Sequence, residues 1–272
     1  MKTAMLWRMI GAAGLAFTVL TFLYLVVPTL VILPISFSSS SFLEFPPPAY
    51  SLRWYTAFFD SVDYRMAILN SVAIGIPAAA LAAAAGTLAA LAIARGHLRF
   101  RRVLAALILA PLILPQIVLA IGLFPLLARL GLIGTYPAIV LGHGVVTMPF
   151  AFITVTAVLQ TAAPNLELAA MTLGATPWRS FRFITLPIIR PAIIVGALFA
   201  FTFSFDELIL AMFLTSPATR TVPRLLWEQL NYELTPEIAA ATTVLLGVTI
   251  AVLIAAAVFS RLAAIRTKGA GA

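Results

Sequence analysis

The sequence predicts an all-α membrane protein with six transmembrane helices, and three observations predict it. Of the 272 residues, 62% are hydrophobic and only 10% charged, against roughly 45–50% and about 25% in ordinary soluble domains; the mean hydropathy is +1.10. Six apolar runs are each long enough for a hydrocarbon core of about 30 Å, which takes about 20 helical residues. The Lys and Arg residues between those runs are distributed unequally. The chain reads as a single transmembrane domain, 1–272. Its net charge of +8 does not point to nucleic acid, because Lys and Arg form neither a stripe nor an aromatic-interleaved patch. With no cysteine, disulfides, thiolate metal sites and cysteine nucleophiles are excluded.

The first run, 9–33, follows Lys2 and Arg8 in the manner of a signal peptide. Signal h-regions stop after about 7–15 residues at a small-residue cleavage site, whereas this run continues through Val26, Val27 and Ile32 to Pro34, so an uncleaved span is expected. The second, 67–94, is Ala-rich with Gly75, Pro77 and Gly86, a composition that lets helices approach closely in lipid. The third, 103–127, carries Pro111, Pro115 and Pro125, so kinks are expected within a bundle that re-satisfies the freed backbone groups. The fourth, 137–159, holds Gly142-His143-Gly144; the fifth, 192–214, holds Asp206 and Glu207; the sixth covers 238–262.

Six spans put both termini on one side, and the positive-inside rule selects it. Lys2, Arg8, Arg95, Arg99, Arg101, Arg102, Arg179, Arg182, Arg190, Arg261, Arg266 and Lys268 fall on the side of the termini; only Arg53, Arg65, Arg129, Arg220 and Arg224 fall opposite. Acidic residues show the reverse bias: Glu44, Asp60, Asp63, Glu228, Glu233 and Glu237 outside, Glu167 inside. Both termini are expected in the cytoplasm, with His97 part of the basic cytoplasmic anchor. Outside, the loop 36–66 opens with four serines and Pro46-Pro47-Pro48, then brings Trp54, Tyr55, Phe58 and Phe59 at helical spacing. That half either lies flat at the membrane interface or packs on the bundle top. A short outer helix is expected over 223–232, with Pro223 suited to its first turn.

The cytoplasmic segment 160–190 is the most informative. Asn165 is placed to N-cap a first helix, with Glu167 near its positive end, and Gly174 to stop it with positive φ. Thr176 then caps a second helix with Pro177 at its first position, expected to end at Pro187. Ala169 and Ala170 let the first helix sit close against another surface.

In this segment the chain resembles the membrane subunits of binding-protein-dependent ATP-binding-cassette importers, whose signature is Glu-Ala-Ala, three residues, Gly, nine residues, then Ile-x-Leu-Pro. Leu168-Ala169-Ala170, Gly174 and Ile184-Thr185-Leu186-Pro187 fall in that register; Leu168 stands at the Glu position, and Glu167 precedes it. Trp54-Tyr55 through Asn70-Ser71, Ser204-Phe205-Asp206-Glu207, and Leu226-Trp227-Glu228 through Thr235-Pro236-Glu237-Ile238 extend the resemblance to the spermidine/putrescine permease branch.

The resemblance implies type I importer permease architecture in a bacterial inner membrane and transport by alternating access. It implies a coupling helix within 165–180 that seats in a groove of an ATPase subunit, with Glu167, Leu168, Ala169, Ala170, Gly174, Ala175, Ile184, Leu186 and Pro187 as coupling residues. It implies as partners two ATPase subunits, a second permease, favoured to be a different chain, and an extracytoplasmic solute-binding protein. This chain is then not an enzyme and binds no cofactor, ATP and Mg being held by the ATPase subunits. That agrees with the residues: a P-loop needs a Gly-rich turn followed by Lys, and the only lysines are Lys2 and Lys268. The expected solute is a polyamine; an opine, an amino-acid derivative or a phosphonate in the same transporter class is the alternative, and a stand-alone secondary transporter or channel a remoter one.

Carboxylates at membrane depth are expensive and face a cavity or a partner. Asp206 and Glu207 therefore either line the solute pathway, where they suit a cation, or pair with neighbours; about 100° apart on a helix, they do not share a direction, and one is expected to be structural. His143, without a second titratable partner, is expected to be held by a local hydrogen bond rather than to carry protons. Phe199, Phe201, Phe203 and Phe205 spread over several helix faces and are read as packing. Two histidines and no cysteine make no metal-ligand cluster.

Overall fold

A computed structural model describes residues 2–96, 98–161, 164–232 and 234–269. His97 and Glu233, assigned above to the inner anchor and the outer loop, lie outside the described residues. Among those described, the only β pairing is one antiparallel bridge, Ser38 with Tyr50. Residues 1–61 with 229–247 form one compact unit, and 62–228 with 248–272 another.

In the first unit, α1 (Lys2–Ser36) holds a 27-residue apolar stretch, Ile10–Ser36, none of whose most hydropathic window is buried. An apolar helix left uncovered is one whose solvent is lipid or another subunit. The chain after it folds back on α2 (Arg53–Asp60): Ser36 Oγ meets the Tyr55 hydroxyl at 2.8 Å, the Trp54 indole N–H donates to Ser40 O at 3.1 Å, and Phe37 stacks against Tyr55 at 4.9 Å. The aromatics at Trp54 and Tyr55, expected at a membrane interface or on the bundle top, thus pack on their own loop. α12 (Pro236–Gly269) opens with Ile238 and Ala239 to Ala241 buried.

The second unit is built on α3 (Val62–Arg95), α6 (Tyr136–Thr161) and α9 (Leu186–Phe205). Ala78, Ala82, Gly86 and Ala90 recur every four residues along α3, and Ala78, Ala82 and Ala90 are fully buried. At Gly86 an added Cβ would lie 2.8 Å from the Met148 carbonyl oxygen and the Phe152 nitrogen, so the backbones of α3 and α6 are in contact there. The small residues expected to serve helix packing do so.

Three contacts fix the directions. The Tyr136 hydroxyl at the start of α6 donates to Asn70 Oδ1 at 2.6 Å, near the start of α3. Ala90, late in α3, clusters with Val155 and Leu159, late in α6, and with Ile189, early in α9; Ser204, late in α9, meets His143 of α6. So α3 and α6 run parallel and α9 antiparallel to both.

The chain must then cross back between α3 and α6, which it does through α4 (Arg101–Ile113) and α5 (Gln116–Arg129). Ala105, Ile108 and Leu109 of α4 pack at the Ala90 end, and Ala120 and Leu127 of α5 cluster with Ile74, Ile139 and Leu210 at the other. The two helices are bent by 108°, a broken span rather than the kinked helix expected over 103–127. The residue before a proline is driven to extended backbone; Leu114 sits at φ −72°, ψ 139° before Pro115, whereas Pro111 and Pro125 remain inside helices. Five helices are long and apolar enough to cross a membrane, six with this broken pair as one span.

The fifth span also departs from expectation at both ends. Pro187 does not stop the second short helix: α8 (Pro177–Ser180), a π-helical turn (Phe181–Thr185) and α9 form one 29-residue helix, Pro177–Phe205. In the widened turn the Leu186 N–H reaches Phe181 O, and Pro187 follows directly, where the change of register between the π turn and α9 accommodates its missing donor. At the other end the helix stops at Phe205, and α10 (Ile209–Leu214) restarts after Asp206, Glu207 and Leu208, where sequence hydropathy suggested continuity to 214.

Candidate functional site

Two places collect the residues singled out above. The first is the segment around α7 (Pro164–Thr172). The helix begins one residue before Asn165, so Asn165 is in its first turn rather than at its cap. Its end is as expected: Gly174 has φ +90°, its N–H reaches Met171 O, and the Ala175 N–H reaches Ala170 O, both at 3.0 Å. This paired closure is the Schellman pattern, which places glycine at the left-handed position. Thr176 follows with extended backbone, its side chain accepting from the Arg179 N–H at 3.3 Å with Pro177 next.

The reversal leaves one apolar surface uncovered. Leu168 is 58% exposed, Leu173 89% and Trp178 65%, although Leu, Trp and Met surface is costly to leave in water. Glu167 is not part of that surface. Its Oε1 accepts from Arg95 Nε of α3 at 3.1 Å, so the carboxylate ties α7 to the end of the bundle while Leu168 projects outward. Ile184, Leu186 and Pro187 lie in the π turn and the start of α9 and belong to the long helix.

The second place is the break between α9 and α10. Glu207 is 4% exposed, and its Oε1 accepts from the Leu210 N–H at 2.9 Å. It satisfies a first-turn donor of α10 that has no partner within that helix, and so performs the structural role expected of one of the two carboxylates. Asp206 closes α9 and is exposed. With Glu207 it lines a cleft of about 390 Å³, whose other walls include Phe150, Phe199, Phe203, Gln116 and Thr249. The phenylalanines therefore divide: Phe199 and Phe203, one turn apart on one face, line the cleft, while Phe201 packs against Phe205 at 5.7 Å. Phe150, from α6, stands 5.1 Å from Phe203. The packing read for these rings holds for Phe201, Phe203 and Phe205, and the cleft is walled by two of the same residues, Phe199 and Phe203.

His143 is fully buried and shares a 2.8 Å hydrogen bond through Nδ1 with Ser204 Oγ, the local bond expected of it. On the far side of the unit a polar network fixes the segment between α10 and α11 (Val222–Tyr232). Asn70 Nδ2 donates to Ala218 O and Arg220 O, each at 3.0 Å, and Ser71 Oγ accepts from the Val222 N–H at 2.9 Å. Arg220 pairs with Asp63 at 2.9 Å and Glu228 at 3.0 Å, and Arg224 with Glu228 at 2.9 Å. Asn70, Ser71 and Glu228, which carried the finer resemblance, hold this segment in place.

Comparison with known proteins accords with this arrangement. The family model described as binding-protein-dependent transport system inner membrane component matches residues 75–266. The putrescine transport system permease protein PotI of Escherichia coli (strain K12) is 35% identical over 235 residues, covering 84% of this chain and 83% of its own. The spermidine/putrescine transport system permease protein PotC of the same organism is 27% identical over 246 residues, covering 90% and 92%. Among solved structures, a bacterial alginate ABC transporter in complex with an alginate pentasaccharide-bound periplasmic protein has a chain of the same fold, with TM-score 0.73 at 19% identity over 93% of this chain and 94% of that one.

Proposed function

The chain belongs to the family of binding-protein-dependent transport system inner membrane components, as a permease subunit of an ATP-binding-cassette importer, and we propose that the solute it passes is a polyamine such as putrescine or spermidine. One observation carries this reading: two carboxylates, Asp206 and the hydrogen-bonded Glu207, line a cleft walled by three phenylalanine rings, and Asp206 is the exposed one. Alkylammonium groups are attracted both to carboxylate and to aromatic faces, and methylene chains gain from the same apolar wall. The two polyamine systems among its relatives support the same solute class.

In the mechanism proposed here, the exposed surface of α7 and Trp178 seats on an ATPase subunit, with Leu168, Ala169, Ala170, Gly174 and Ala175 shaping the contact and Glu167 holding it to Arg95. Two ATPase subunits bind ATP and Mg; a second, different permease chain completes the pathway; and an extracytoplasmic binding protein delivers solute to the outer face. Six crossings and the basic ends of α3, α4 and α8 support cytoplasmic termini. The chain's own work is to offer the cation a transient site and to change its access when the knob moves.

The test is ATP-driven uptake in proteoliposomes containing this chain, its partner subunits and the binding protein. Putrescine or spermidine should accumulate and raise ATP turnover, with excess zwitterionic amino acid failing to compete. Turnover raised by a zwitterionic or anionic solute but not by polyamines would overturn the solute assignment.

A further inference from the structure

At the basic end of the second unit, α3, α4 and α6 enclose a cleft of about 380 Å³ that the transport reading does not use. Arg95, Arg101, Arg102, Thr156 and Gln160 supply its polar lining, over an apolar wall that includes Ala105 and Leu159. Its chemistry is lopsided in four independent ways. Three arginines line it, and the only anion paired with any of them among the described residues is Glu167, which meets Arg95 through Nε alone. Arg95 Nη2 is buried with no hydrogen-bond partner, and so is Thr156 Oγ1. Leaving such donors unmet is costly, and more so for a charged group. Finally, Arg101 and Arg102 occupy the first turn of α4, which has no acidic residue there and no side-chain cap. Cations at a helix N-terminus oppose its dipole, and free N–H groups at that end favour an anion.

A single tetrahedral oxyanion in the cleft resolves all four features: it accepts from Arg95 and Thr156, neutralises the arginines, and meets the positive end of α4. We propose that this cleft binds the phosphate of an anionic phospholipid head group. The phosphate chemistry is shared with soluble phosphate, but the cleft lies at an end of the membrane helices and its apolar wall suits the glycerol and first acyl carbons. Basic pockets between helices at a membrane surface recognise head groups in this way. The site is independent of the transported solute.

The experiment is native mass spectrometry and thermal unfolding of the full chain in detergent, titrated with phosphatidylglycerol, phosphatidylcholine or inorganic phosphate. Phosphatidylglycerol should remain bound and raise the melting temperature, and Arg101→Gln/Arg102→Gln should weaken it at least tenfold. Thr156→Val, which alters neither charge nor size, should weaken it several-fold, so the site is tested even if the double variant folds poorly. Equal retention of phosphatidylcholine, or unchanged affinity in Thr156→Val, would overturn the site. Equal protection by millimolar inorganic phosphate would overturn the lipid as its source.

Discussion

Adjacent carboxylates at one helix break should respond oppositely to neutralisation. Glu207→Gln retains a carbonyl oxygen where Oε1 accepts from the Leu210 N–H, so the donor stays paired and the variant should unfold within about 1 kcal/mol of the parent. Glu207→Ala removes the acceptor at a site 4% exposed and should cost about 1–3 kcal/mol, the penalty for an unmet buried donor. Asp206 accepts no hydrogen bond that would hold the break together and faces the cleft, so Asp206→Asn should leave the melting temperature unchanged. What it loses is attraction for a cation: a charge-assisted hydrogen bond contributes about 1.5–3 kcal/mol, or roughly ten- to a hundredfold in apparent solute affinity. Proteoliposome uptake at varied polyamine concentration, with thermal unfolding of the same preparations, measures both. The reasoning fails if Asp206→Asn transports with unchanged apparent affinity while Glu207→Gln loses it.

Three further outcomes are expected. Gly174→Ala meets no atom within 4 Å, so its cost of about 1–2 kcal/mol comes from the left-handed backbone alone; solute-stimulated ATP turnover should fall, and Gly174→Asn, which tolerates that conformation better, should fall less. Gly86→Ala drives a methyl group into the α6 backbone and should destabilise by about 1–3 kcal/mol, while Gly122→Ala, facing open space, should not; detergent melting curves distinguish them. Arg95→Ala and Glu167→Ala should each reduce coupled ATP turnover, and a double-mutant cycle should show that their effects do not add, whereas strictly additive losses would remove the ion pair from the coupling.

The spans, their small-residue contacts and the chain reversal at Gly174 were legible because each rests on a local rule. Ala and Gly every four residues in α3 mark a close helix contact, and Gly-Ala-Thr-Pro at 174–177 marks a helix stop followed by a capped start. What stayed hidden depends on residues far apart in the chain. Nothing local pairs Arg95 with Glu167 or brings Phe150 beside Phe203, and the division of labour between Asp206 and Glu207 follows from which one finds the Leu210 N–H. Proline was misread in both directions for one reason: its effect depends on whether the backbone around it has an alternative. Pro115 breaks a span because Leu114 is free to become extended, while Pro187 does not, because the widened turn at 181–185 absorbs the missing donor.

That continuity at Pro187 bears on how the proposed coupling operates. Had the second short helix ended there and a new span begun near 192, a hinge would separate the α7–α8 knob from the cleft. Instead the helix starting at Pro177, directly after the Thr176 cap and the Gly174 reversal, reaches Phe205 and ends on Asp206. Its 29 residues at 1.5 Å each give a rod of about 43 Å. The π turn within it is bounded by buried Ser180 and Thr185, and α9 is packed against α6 at its early part through Ile189 with Leu159 and at its far end through Ser204 with His143. A displacement applied at α7 and α8 is therefore carried along one continuous helix to the end that bears Phe199, Phe203 and Asp206, where Phe203 meets Phe150 of α6. Because those three rings wall the cleft, a motion there would change the access and the affinity of the proposed cation site together, which is what a step that releases a solute after admitting it requires.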